Sequence, residues 1–188
     1  MNEIRTISQL LDALKQGYTV FDGQVVPRLQ PHAAQDMEKA ERHFCISIAN
    51  HVFDIKSLYP DTFYLCRHYL SDLEPEMQVV ISEDDIIAER KETEKNSIPQ
   101  SNGYLETLVV YRKICEKLLI DNTILMHGAV VASGGAAYMF TAESGTGKTT
   151  HIKKWLDNAE NSYVINGDKP LIHISENQVT AYGSPWCG

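Results

Sequence analysis

The stretch Tyr138-Met139-Phe140-Thr141-Ala142-Glu143-Ser144-Gly145-Thr146-Gly147-Lys148-Thr149-Thr150 decides how this chain is read. An apolar strand runs into a glycine-rich loop, and a helix follows with Ile152, Trp155 and Leu156 on one face. Ser-Gly-x-Gly-Lys-Thr in that strand–loop–helix setting is the pattern of a phosphate-binding loop. Gly145 and Gly147 let the backbone curl so that consecutive N–H groups point at phosphate oxygens. The helix N-terminus adds positive potential. Lys148 places a charge on the terminal phosphates, and the Thr149 hydroxyl suits Mg2+. Glu143, Ser144, Gly145, Thr146, Gly147, Lys148, Thr149 and Thr150 are therefore the candidate nucleotide-binding residues. The usual pattern opens on glycine, where Ala142 stands here.

Upstream, the apolar runs Ile124 to Ala132 and Ala136 to Thr141 flank Ser133-Gly134-Gly135. Gly-Gly supplies the positive φ angles of a tight hairpin. The strand entering the loop is thus expected to be half of an antiparallel hairpin, unlike the common parallel-sheet arrangement. That hairpin would bring His127, in Met126-His127-Gly128, close to the loop. Without this context a lone histidine reads as a packed or surface residue. Downstream, Tyr163-Val164-Ile165-Asn166-Gly167-Asp168 is a short apolar strand ending in an acid, 19 residues after Thr149. Asp168 is suited to hold Mg2+, to accept a proton from an incoming hydroxyl, or both. Taken alone it reads equally well as a turn aspartate beside Gly167 and Pro170. Lys169 is open between a phosphate contact and a solvated side chain. Leu171 to Ile174 and Val179 to Tyr182 predict a further hairpin across Glu176-Asn177.

Residues 43–100 read as a small α+β lobe. Phe44, Ile46 and Ile48 alternate with small or polar residues, the period of a half-buried strand. Asn50-His51 predicts a turn and Val52 to Ile55 a returning strand. Tyr59-Pro60-Asp61 opens a helix to about Leu70. Gln78 to Ile81 predicts a strand, and Ser82-Glu83-Asp84-Asp85 caps a charged, solvated helix to about Lys95. Residues 96–103 read as a linker. Tyr104 to Ile120 is the clearest helix, with Leu105, Leu108, Val109, Cys115, Leu118 and Leu119 on one stripe. It opens the third region, 103–188, which holds the glycine-rich loop. Residues 1–42 form an N-terminal segment with a short helix over Ile7 to Leu14 and a loop over Asp22 to Gln35.

Composition narrows the function classes. The chain has 188 residues, 43% apolar and 22% charged, as expected of a globular protein with a real core. The net charge of −8 argues against a nucleic-acid binder, which needs a basic face. No apolar run approaches the roughly 20 residues of a membrane helix. The first residues lack a signal-peptide pattern, so a cytoplasmic location is expected. Cys45, Cys66, Cys115 and Cys187 form no C-x-x-C, which excludes a zinc ribbon and disfavours a disulfide scaffold.

Together these residues resemble the HPr kinase/phosphorylase and PEP carboxykinase superfamily, whose P-loop follows antiparallel strands. His127-Gly128 and Glu143-Ser144-Gly145-x-Gly147-Lys148-Thr149 look like the His-Gly and Asp-Ser-Gly-x-Gly-Lys-Ser elements of HPr kinase. Tyr104-Leu105-Glu106, the acid-Lys-Pro run at Asp168 and Tyr182-Gly183-Ser184-Pro185-Trp186 are similar to small bacterial HPr-kinase-like proteins. The resemblance covers roughly residues 43–188. It implies an α/β (α+β) fold: a P-loop core with a mixed sheet, preceded by the small lobe. It also implies an ATP- and Mg2+-dependent phosphotransferase acting on a hydroxyl, of a serine in a protein or peptide or of a small molecule. Asp168, His127 and Lys148 would be catalytic, and Thr149 with Asp168 would bind the metal.

Two departures stand out. HPr kinases carry adjacent aspartates where this chain has Gly167-Asp168. All six arginines lie at or before Arg112, although phosphoryl-transfer sites usually add an arginine or second lysine. The chain also ends where relatives continue, so a C-terminal truncation is expected, and an unfinished sheet would favour homo-oligomers. A nucleotide-binding regulatory module without turnover is the alternative reading. PEP carboxykinase itself is disfavoured by chain length. The acceptor, and ATP against GTP, stay open.

Overall fold

The computed structural model describes residues 41–93, 99–143 and 146–187, and the backbone of 18–21 and 24–27. The helix expected over Ile7 to Leu14 lies outside the described residues, as do Ser144 and Gly145. The fold is mixed α+β. None of the described helices is long and apolar enough to cross a membrane. The chain divides into two compact units, His32–Asp121 and a second made of Met1–Pro31 with Asn122–Gly188.

β1 (Tyr18–Phe21) and β2 (Gln24–Pro27) pair antiparallel. A loop was the expectation from Asp22 to Gln35, but its first part holds β2.

In the unit His32–Asp121, β3 (His43–Ile48), β4 (His51–Lys56) and β5 (Met77–Val80) form a sheet in that order. β3 and β4 are antiparallel, and β4 and β5 parallel. The alternation of β3 buries Phe44, Ile46 and Ile48. Its turn is Ala49-Asn50, with φ of 51° and 65°, one residue earlier than Asn50-His51. Positive φ at both central residues matches the twist of a two-residue hairpin. The chain then runs through α1 (Pro60–Cys66) and a 3-10 turn, Arg67–Tyr69, before β5.

α2 (Glu83–Thr93) starts with a reciprocal cap. The Asp85 carboxylate accepts from the Ser82 N–H at 2.8 Å, and Ser82 Oγ accepts from the Asp85 N–H at 3.3 Å. Its charges are largely exposed, except that Glu89 is buried and paired with Arg112. α3 (Asn102–Leu118) buries Leu105, Val109, Val110, Ile114 and Leu118 against α1 and α2. Leu119 falls outside this stripe and is exposed, because the chain tightens there into the 3-10 turn Leu119–Asp121.

Glu106 of α3 supplies what α1 lacks. The N-cap of α1, Tyr59, makes no side-chain cap. The buried Glu106 carboxylate instead accepts from the N–H groups of Leu58 and Tyr59 and, at 2.8 Å, from Thr62 Oγ1. α3 therefore belongs with the strands that precede it. The expected region 103–188 begins with this helix, whereas the C-terminal part of the second compact unit begins at Asn122.

That unit contains β6 (Thr123–Leu125), β7 (Ala129–Ser133), β8 (Ala136–Phe140), α4 (Lys148–Asn158), β9 (Tyr163–Asn166), β10 (Leu171–Ile174) and β11 (Val179–Tyr182). They build two sheets, ordered β8-β7-β9 and β11-β10-β6. β7 and β8 are the expected hairpin, turned by Gly134 and Gly135 at φ of 59° and 81°. β10 and β11 are the second expected hairpin.

The expected single strand Ile124 to Ala132 is instead two strands in different sheets. The chain changes partners at Met126-His127-Gly128. The Met126 N–H donates to Pro170 O at 3.1 Å and the Gly128 N–H to Asp168 O at 2.8 Å. α4 packs Ile152 against Ala129 and Val131 of β7, with Phe140, Trp155, Leu156 and Val164 around them.

Candidate functional site

The topology of the β8-β7-β9 sheet assembles the site. β8 and β9 both run antiparallel to β7. The C-terminal ends of β8 and β9 therefore lie at the same end of the sheet as the N-terminal end of β7. His127 precedes β7, the glycine-rich loop follows β8, and Asp168 follows β9. Three segments distant in sequence converge on one sheet end.

Gly128 is the point of closest approach. A Cβ there would lie 2.9 Å from Phe140 O and 2.8 Å from the Met139 methyl group, while its N–H is bonded to Asp168 O. Only glycine lets the start of β7 sit so close to the end of β8. The neighbouring His127 places Nε2 3.1 Å from Asp168 Oδ1. His127 is exposed and Asp168 half-buried. Asp168 Oδ2 lies 3.9 Å from Lys169 Nζ.

The turn bearing Asp168 is held by Asn166, which is buried. Its Oδ1 accepts from the N–H groups of Asp168 and Lys169 at 2.9 and 2.8 Å, an Asx turn. Its Nδ2 donates to Ser184 Oγ at 3.1 Å, and that hydroxyl donates to Lys169 O at 3.1 Å. Ser184, Pro185 and Trp186 are buried, so the Tyr-Gly-Ser-Pro-Trp segment braces the acid-bearing turn. Gly167 lies under this brace: a Cβ there would be 2.8 Å from Cys187 O. The sequence reading missed Asn166 and the part played by Ser184. An asparagine two residues before the acid was the available signal.

At the loop, Lys148 is the first residue of α4 and Gly147 its N-cap, at φ 99°. The Lys148 ammonium donates to Ala142 O at 2.6 Å and to Glu143 O at 3.4 Å. Glu143 O also accepts from Thr146 Oγ1 at 2.7 Å and from the Thr146 N–H at 3.4 Å. The first bond within the helix runs from the His151 N–H to Gly147 O. The N–H groups of Lys148, Thr149 and Thr150, in the first turn, have no carbonyl within the helix to take. Thr146, Thr149 and Thr150 are exposed.

Beside the loop is an open groove of about 620 Å³, lined by Met139, Phe140, Thr141, Ala142, Thr146, Gly147, Lys148, Thr150, His151 and Lys154. The Phe140 and His151 rings meet edge to face at 4.4 Å. Among the described residues no three His, Cys, Asp or Glu side chains cluster to hold a metal. Thr149 offers a hydroxyl oxygen and Asp168 a carboxylate, each an oxygen donor of the type Mg2+ prefers. Mg2+ bound beside phosphates takes only one or two protein groups and fills its shell with phosphate oxygens and water, so the chemistry of these side chains is compatible with it.

Compared with models of protein families, with curated proteins and with solved structures, the chain matches none.

Proposed function

We propose that the chain binds a nucleoside triphosphate with Mg2+ at the loop of residues 142–150 and transfers its terminal phosphoryl group to a hydroxyl, as an HPr-kinase-like phosphotransferase. One observation carries this reading: the glycine-rich loop and the His127–Asp168 pair meet at the same end of one sheet. The loop fits polyphosphate. Lys148 rests on two loop carbonyls that phosphate oxygens can replace, and the N–H groups of the first helical turn are unclaimed within the helix.

Each residue then has a role. Lys148 and the helix N-terminus bind the terminal phosphates and stabilise the charge that spreads over the transferring group. Thr149 and Asp168 are the groups that would hold Mg2+, which when bound neutralises phosphate charge. Asp168 accepts the proton of the acceptor hydroxyl as its oxygen bonds to phosphorus and the nucleoside diphosphate leaves. His127, through Oδ1, fixes the carboxylate.

Nucleotide binding without turnover is the second reading. It is favoured by Gly167, because the position before Asp168 is closed to a side chain by Cys187 O. Calorimetric titration of MgATP tests binding. The expected result is a wild-type complex weakened at least tenfold in Lys148→Ala; absence of binding to the wild type refutes both readings. Conversion of ATP to ADP that disappears in Asp168→Asn would separate turnover from binding alone.

A further inference from the structure

We propose that the groove between the end of β8 and the first two turns of α4 takes the sugar and base of the nucleotide, with His151 as the stacking surface, so that the site selects a nucleoside triphosphate over a bare polyphosphate. The inference rests on the phosphate-loop reading above and adds the residues that recognise the other half of the ligand.

The groove, about 620 Å³, falls among small-molecule sites, which run from roughly 300 to 1,000 Å³. Lys148 marks its phosphate end. Lys154, also in its wall, is six residues on, about 9 Å along the helix axis at 1.5 Å per residue. That span suits a nucleoside extending from the phosphates. Between the two lysines stands His151, exposed, its ring held edge to face on Phe140 at an interplanar angle of 68°. Nucleobases stack on histidine and aromatic rings held in this way.

Thr150 adds a hydroxyl to the same wall. Among the described residues no carboxylate lines the groove, in a chain whose net charge is −8. His127 and Asp168 are not among the lining residues. The groove therefore serves the nucleoside and leaves the acceptor end to that pair.

The test is calorimetric titration of MgATP and, separately, of magnesium tripolyphosphate into the full chain, its His151→Ala variant and its Lys148→Ala variant. His151→Ala is expected to weaken MgATP about tenfold, the scale of losing one stacked base, and to leave tripolyphosphate unchanged. Lys148→Ala is expected to weaken both. His151 is exposed, and an unchanged circular dichroism spectrum checks that the variant folds. Equal weakening of both ligands by His151→Ala, or of neither, overturns the inference while the loop reading stands. Failure of the wild type to bind either ligand refutes the loop reading and this inference with it.

Discussion

Removing Asn166 tests whether the brace behind Asp168 works as a unit. The side chain makes three hydrogen bonds, two received from the N–H groups of Asp168 and Lys169 and one given to Ser184 Oγ. At about 1 kcal/mol net each, Asn166→Ala should destabilise this unit by about 3 kcal/mol. Ser184 shares one of these bonds and adds a single donated bond of its own, its one hydroxyl proton shared between Lys169 O at 3.1 Å and Trp186 O at 3.4 Å. Ser184→Ala should therefore cost about 2 kcal/mol.

The double variant loses four distinct bonds, since the shared one is counted in both single variants. The expected coupling is about 1 kcal/mol, against the few tenths seen for independent sites. Both tryptophans of the chain, Trp155 and Trp186, lie in the unit made of Met1–Pro31 with Asn122–Gly188. Tryptophan fluorescence during urea unfolding thus reports on that unit. Losses that add to within about 0.3 kcal/mol would refute the shared brace, as would a Ser184→Ala variant as stable as the wild type.

Two further predictions concern the unit His32–Asp121. Glu106→Ala strands the donors at Leu58, Tyr59 and Thr62 and leaves a cavity, so a loss of about 3–4 kcal/mol is expected, read by circular dichroism during urea unfolding. Glu106→Gln, which keeps an acceptor oxygen and the volume, should lose less than half as much. His51 lies between Glu76 and Asp121, at 2.9 and 3.1 Å. Burial alone would lower its pKa, but hydrogen bonds to Asp121 and Glu76 outweigh burial and raise it. Its stabilisation is then complete below the ordinary histidine pKa of about 6.5 and fades as pH rises through the higher folded value. Stability measured across about pH 6 to 8 should fall in the wild type and lose that slope in His51→Gln; an unchanged slope would refute the assignment.

Local patterns carried much of the fold, and tertiary partnerships hid the rest. Alternation in Phe44, Ile46 and Ile48 and the pair Gly134-Gly135 are signals within a few residues, and the elements they predict are present. The apolar run Ile124 to Ala132 looks continuous because periodicity cannot register a change of sheet. Gly128 was the break, legible only once Phe140 and Asp168 are seen beside it. Tyr104 to Ile120 was legible as a helix, but the unit it joins depends on Glu106 reaching the start of α1, a contact across more than 40 residues. At the site, the loop motif pointed to Lys148, the strand ending in an acid to Asp168, and the expected hairpin together with the His-Gly resemblance to His127. Asn166 escaped notice because its partners come from the turn it braces and from the distant Ser184.

Gly167 also carries a constraint on how this chain can change. An acid placed beside Asp168 at this position looks like a single substitution. The Cys187 carbonyl occupies the space the new Cβ needs. A change near Pro185-Trp186-Cys187 that lifts the backbone has to come first, and taken alone it would loosen a buried segment. The order of the two substitutions is therefore not neutral: one path runs through a steric clash, the other through a weakened brace.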